Sequence, residues 1–206
     1  MSDDRWAAGR EVLRAADLPM AALVDADPGL DPDVLFDGWP SDLWGALVLQ
    51  VIGQQLSRAA ATAILGRLEA LHDSRLPTPS ELLATDEETL RTIGLSRAKS
   101  VYLHDLAARL VDGRLDLERL RTLDDDAARA ELIQVKGVGR FTAEGVLMLA
   151  LRRPDVWPAA DLALRRAVER VWGLAAPASV EEIDALGERF RPWRTLAAAY
   201  LYRSLR

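Results

Sequence analysis

Two places in this sequence carry groups suited to chemistry on a phosphate-bearing substrate. The first is Val135-Lys136-Gly137-Val138-Gly139-Arg140, a Gly-x-Gly turn between two stretches of helical apolar spacing. Glycine lets a backbone take positive φ and approach a ligand that a side chain would hold off. The turn leaves the first amides of the following helix without helical partners, where the helix dipole adds attraction for an anion. Such a turn clamps a phosphate with little net positive charge, and Lys136 and Arg140 flank it as auxiliary cations. The second is Asp161, which follows a loop bracketed by Pro154 and Pro158 and precedes Leu164, Val168, Val171 and Trp172 on one helical face. An ionised carboxylate stabilises positive charge developing on a neighbouring carbon. A helix start, with its amides and dipole, favours the charged form of a carboxylate. Alone, each feature has a plain structural use, the glycines as a sharp connection and Asp161 as a helix cap.

The elements that must position these groups are helical. Leu and Ala dominate, β-branched residues are sparse, and the spacing of the apolar positions predicts an all-α chain. With 206 residues, half of them hydrophobic, the chain is long enough to bury a sizeable core. A helix is expected from about Asp3 to Ala16, then an acidic loop-rich stretch with one short helix. Ser41 and Asp42 cap a helix bearing Trp44, Leu47, Val48, Val51 and Ile52, Gly53 interrupts it, and Ser57 caps the next. Two short helices lie in 77–96, a longer one runs from about Arg97 to Val111, and the hairpin occupies 132–151. Further helices start near Asp161, near Ser179 and at Pro192, the last read as a first-turn proline.

Composition removes several chemistries. Cysteine is absent, which excludes disulfides, thiolate zinc sites, iron–sulfur clusters and a cysteine nucleophile. His72 and His104 are far apart, which argues against a histidine-rich metal centre. No apolar run reaches the length of a membrane span and the first residues are acidic and mixed, so a cytoplasmic protein is expected. The net charge of −6 speaks at first against a nucleic-acid partner. It is unevenly spread: residues 1–88 hold 6 Lys and Arg against 16 Asp and Glu, and residues 89–206 hold 20 against 16. Anion binding belongs to the second part, as a short local footprint.

The stretch LIQVKGVGRFTAEGVLMLAL, followed by PDVWPAADLALRRA, resembles the signature of the helix-hairpin-helix DNA glycosylase superfamily, in which a Gly- and Pro-rich loop leads to an essential Asp, here Asp161. LWGALVLQVIGQQLSRAAATAI resembles the family's Gly-Gln segment and RPWRTLAAAYLYRSL its C-terminal helix, so the matches run in family order from about 42 to 205. The resemblance implies two helical subdomains with a cleft between them: the terminal helices, 1–40 and 175–206, and a central bundle, 41–174. The hairpin and Asp161 are expected on one wall, Gln54 on the other. No space is left for the N-terminal β-containing domain of longer members.

Bifunctional members, which also nick the backbone, carry a Lys where this chain has Phe141, and Phe cannot form a Schiff base with the sugar. The chain therefore resembles the monofunctional 3-methyladenine DNA glycosylase II group, where an aromatic residue, usually Trp, fills that position. The resemblance implies that Phe141, Tyr202, Gln54 and Trp44 meet the flipped base, although Trp44 fits the core face better. It implies that Lys136, Gly137, Val138, Gly139, Arg140 and Thr142 contact DNA. The wedge that fills the gap is Gln55 or its neighbour Leu56. Gly145 replaces a bulky pocket residue and Ala160 an acidic one, so a roomier site is expected. A structural Na+ or K+ at the carbonyls of Ile133, Val135 and Gly137 is implied by the resemblance alone, with no other cofactor. The activity implied is hydrolytic excision of an alkylated purine from double-stranded DNA by a monomeric enzyme of base excision repair. A glycosylase for a neutral lesion such as hypoxanthine, or a DNA-binding module without chemistry, are the alternatives.

Overall fold

A computed structural model describes residues 4–35, 39–40, 42–174 and 177–206. Among these the chain is α-helical with no strand. The helices are α1 (Ala7–Ala16), α2 (Leu18–Ala26), α3 (Leu43–Gly53), α4 (Arg58–Ala70), α5 (Pro79–Ala84), α6 (Glu87–Thr92), α7 (Arg97–Val111), α8 (Leu117–Thr122), α9 (Asp125–Leu132), α10 (Arg140–Gly145), α11 (Leu162–Trp172), α12 (Val180–Gly187) and α13 (Arg194–Ser204). Asp3 and Ser41 lie outside the described residues. Asp42 alone supplies the observed cap of α3, accepting from the Gly45 amide at 2.7 Å.

An acidic sequence makes so much helix partly because Asp, Ser and Thr are well placed to start it. Capping boxes at Thr78/Glu81 and Ser179/Glu182 begin α5 and α12. Asp17, Asp86, Asp116 and Asp124 each accept a first-turn amide. Much of the negative charge is thus local helix chemistry. α10 starts differently: its N-cap is Gly139, which has no side chain to close the first turn.

The chain divides into two compact units, one made of residues up to 37 together with 152–206, the other of 38–151. In the first, here the carboxylate unit, α13 is buried on every side from Thr195 to Leu201, as a helix apolar all round must be. Leu13, Met20, Val24, Leu164, Val168 and Phe190 pack in the same core. Phe190 sits between Trp157 and Trp172, with ring centroids 5.7 and 6.1 Å away. The expected boundary near 174 is corrected: α11 packs on α13 and belongs with the terminal helices, because its apolar stripe completes their core. Pro192 also differs from expectation. It precedes the N-cap, Trp193, and follows a cis bond to Arg191.

In the second, the hairpin unit, α3 is buried along nearly its whole length, with Gln50 only partly covered. α7 packs against α3, α5 and α6. α9, a tight turn and α10 form the hairpin, and α10 passes without a break into a π-helical turn, Val146–Ala150, that lies against α3.

Candidate active site

The hairpin turn is held by groups that sequence spacing does not reveal. Gly137 is left-handed, with φ of 79°, and a Cβ built on it would lie 2.2 Å from the Tyr102 ring. Glycine is therefore required twice over, by the backbone and by the aromatic wall of α7. Gly139 departs from the expected positive φ: it is extended, at φ −93° and ψ −179°, and an added Cβ would meet nothing within 4 Å. The fold does not demand glycine there. What glycine leaves at 139 is open approach to the start of α10.

Asp105, on α7, accepts the Lys136 amide at 2.7 Å and the Arg109 guanidinium at 2.8 Å. Burial pushes its carboxyl up, but the Lys136 amide and the Arg109 and Arg114 guanidiniums outweigh that and hold it below the ordinary carboxylate range. Val138 is buried and its amide donates to the Val135 carbonyl, so its expected DNA role is corrected to that of an anchor for the turn. Lys136 and Gly137 are exposed.

Thr142 is also corrected as a direct DNA-contacting side chain. Arg140 Nε donates at 2.7 Å to Glu144, whose side chain is 1% exposed, and Arg129 stands 3.9 Å from the same oxygen. A carboxylate so deeply buried requires cationic partners, and Arg140, itself about half exposed, supplies one from the surface. Thr142 is buried and accepts Gln54 Nε2 at 3.2 Å.

Gln54 lies at the C-terminal end of α3 and its amide also donates to the Gly137 carbonyl, at 2.9 Å. Gln54 and the hairpin thus belong to one unit and are bonded, while Asp161 lies in the other unit; the expected grouping of the hairpin with Asp161 against Gln54 is corrected. Lys99 Nζ donates to the Ile52 carbonyl at 2.7 Å, bracing the end of α3, and burial pushes its ammonium pKa down. Beyond that end Gln55 takes a left-handed backbone, φ 59°, and Leu56 is 41% exposed. A non-glycine residue held there costs about 1–2 kcal/mol. Trp44 does not join this group. Its indole nitrogen donates to the Pro77 carbonyl at 2.8 Å, committing the ring to the loop before α5.

Phe141 stands in the first turn of α10, 50% exposed. One turn further, Gly145 is buried, and a Cβ on it would lie 1.7 Å from Gln50 Nε2. The expectation of a roomier site is corrected: the volume outside Gly145 holds the Gln50 amide.

In the carboxylate unit, Asp161 caps α11. Its Oδ1 accepts the Ala163 amide at 2.7 Å, and the Tyr202 hydroxyl donates to its Oδ2, also at 2.7 Å. The carboxylate is fixed through both oxygens and keeps lone pairs on each. Tyr202 also borders a cavity of about 360 Å3 whose other walls include Asp27, Leu30, Asp31, Ala199 and Arg203. Among the described residues no cluster of His, Asp or Glu could hold a metal ion.

A helix start opened by Gly139, here braced by Asp105 and Glu144, and a helix-capping carboxylate after a proline-bracketed loop are the features that the resemblance to the DNA glycosylases implies. The chain belongs to the HhH-GPD superfamily of base excision DNA repair proteins, whose family model matches residues 48–192. It is similar to DNA-3-methyladenine glycosylase 1 of Schizosaccharomyces pombe, 32% identical over 77% of this chain and 70% of that protein. The solved 3-methyladenine DNA glycosylase (Mag1) of that yeast, in complex with abasic DNA, superposes with a TM-score of 0.86 over 96% of each chain, at 29% identity. A DNA-3-methyladenine glycosidase structure from Bacillus halodurans gives 0.73 over 91% of this chain and 89% of that one, at 28% identity.

Proposed function

We propose that this chain is a monofunctional DNA glycosylase that removes alkylated purines of the 3-methyladenine type from duplex DNA, leaving an abasic site. The observation that carries the reading is the Asp161 carboxylate, fixed by the Ala163 amide and the Tyr202 hydroxyl at the start of α11. In the reaction the bond from C1′ to the base nitrogen breaks, and its electron pair leaves with the base. The sugar becomes an oxocarbenium-like cation that Asp161 stabilises. Water adds to C1′ through oxygen and releases a proton. A purine made cationic by alkylation departs neutral, so the site need not deliver a proton to the leaving group.

The hairpin serves as the phosphate clamp, with Gly139 opening the start of α10 and Lys136 beside it. Phe141 offers its exposed ring to the extruded base, since an aromatic face stacks on any purine and attracts positive charge. The Gln55–Leu56 corner fills the gap left in the duplex. The proposed monovalent cation has suitable ligands, because backbone carbonyls are hard oxygen donors. The Val135 and Gly137 carbonyls each accept one protein hydrogen bond and keep a second lone pair for an ion. Ile133, Val135 and Gly137 would hold it, adding positive charge beside the phosphate.

The test is release of free methylated base from alkylated duplex DNA at low salt. The wild type is expected to release base, and Asp161→Asn to bind DNA but release none; full turnover in that variant would end the assignment. Gln55→Ala or Leu56→Ala is expected to slow release, and unchanged rates in both would remove the wedge from this corner. Borohydride is expected to trap no covalent DNA adduct, and a trapped adduct would make the enzyme bifunctional. No release by wild type, with DNA still bound, would move the reading to a neutral lesion or to a binding module.

A further inference from the structure

Gln50 and Gln54 stand one turn apart on α3, which places both amides on the face turned to α10. Their situations differ. The Gln54 amide is engaged by the Gly137 carbonyl and the Thr142 hydroxyl. The Gln50 side chain is half-buried and makes no hydrogen bond among the described residues. Its Nε2 occupies the volume that any side chain at position 145 would take. Phe141 lies one turn before Gly145 on the same helix face, with half its surface open. A half-exposed aromatic ring and an uncommitted amide are thus placed at positions one helical turn apart along α10.

That pair suits a purine edge. A carboxamide bonds adenine at two points, Oε1 accepting from the N6 amino group and Nε2 donating to N7. An adenine alkylated at N3 keeps both groups. A guanine alkylated at N7 has neither, since its N7 carries the alkyl group and position 6 is a carbonyl that cannot donate. We infer that Gln50 is a specificity-determining residue whose amide, seated over Gly145 beside Phe141, reads the N6/N7 edge of N3-alkylated adenine and disfavours N7-alkylated guanine. The inference rests on the alkylpurine reading given above, and it assigns that reading a preferred lesion.

Methylated duplex DNA contains both lesions, so one substrate tests it. Free N3-methyladenine and N7-methylguanine are separated and timed, with enzyme in excess, for wild type, Gln50→Leu and Gly145→Ala. A two-point amide contact discriminates by about 5- to 150-fold. Gln50→Leu is expected to slow N3-methyladenine release by a factor in that range while N7-methylguanine release holds steady or rises. Gly145→Ala, which displaces the amide without removing it, is expected to shift the ratio the same way by less. A wild type active on both bases, with the ratio unchanged in both variants, overturns the role of Gln50 alone. A wild type that releases neither base overturns the alkylpurine reading and this inference with it.

Discussion

At the scale of single residues, the bond between Tyr202 and Asp161 is the most consequential contact in the molecule. A hydroxyl donating to a carboxylate contributes about 1.5–3 kcal/mol, more than a neutral pair of similar geometry. Here it also fixes which lone pairs of the carboxylate remain available. Tyr202→Phe keeps the ring against the cavity wall and deletes only the donor, leaving the Ala163 amide on Oδ1. The expected result is a single-turnover rate lower by about 10- to 150-fold with DNA affinity unchanged, that range being the same energy expressed as a rate. A rate equal to wild type would reduce Tyr202 to packing. Position 202 was marked in the sequence through the resemblance of RPWRTLAAAYLYRSL to the family's C-terminal helix. Its partner was not visible there: 41 residues separate the two, and no periodicity relates a phenol on α13 to a cap on α11. The cap itself was legible, because an Asp before an apolar helical face is a local signal.

Among the elements, the hairpin turn separates its two glycines by function. Gly137→Ala must accept a left-handed alanine, at about 1–2 kcal/mol, and a Cβ driven into the Tyr102 ring, at about 1–3 kcal/mol. The variant is expected to lose about 2–5 kcal/mol in chemical denaturation, and a loss below about 1 would mean the turn is looser than its geometry. Gly139→Ala adds its Cβ to open space and is expected to stay within about 0.5 kcal/mol of wild type. It is nevertheless expected to bind duplex DNA more weakly, because the new methyl group stands where a phosphate must approach. Equal affinity would remove the clamp from this turn. The sequence marked both glycines alike, since a motif records residue type but not φ. Asp105 and Gln50 escaped it for a related reason. One meets a backbone amide 31 residues away, the other a glycine 95 positions on, and neither contact leaves a pattern. The six-residue helix α8, with its Asp116 cap, was missed because one turn and a half is too short to establish a period.

For the whole molecule, charge is the decisive quantity. With net charge −6, and with Lys136 and Arg140 the exposed cations beside the hairpin turn, the phosphate footprint of the hairpin is short and local. The logarithm of affinity is expected to fall with that of salt at a slope of about −2 to −3, the signature of two or three neutralised phosphates. A slope near −6 would require a basic track outside the hairpin. The same titration in potassium chloride and in tetramethylammonium chloride tests the carbonyl-bound cation, which predicts tighter binding in potassium; identical curves would discard it. The uneven charge of the two parts was legible. The division at 151/152 was not, because the apolar stripe of α11 announces that it is buried without saying against what.

That division also sets an order of events while the chain is being made. The hairpin unit is one continuous stretch, complete once residue 151 has left the ribosome. The carboxylate unit is not: Leu13, Met20 and Val24 belong to a core that includes Leu196, Tyr200 and Leu201 of α13, which is translated after the whole hairpin unit. Domains fold as units during synthesis, earlier stretches first. The opening helices therefore wait, apolar faces uncovered, while the whole hairpin unit emerges and folds between them and their partners. A nascent chain stalled before α13 would carry the proposed phosphate clamp without a finished platform for Asp161, the proposed catalytic carboxylate.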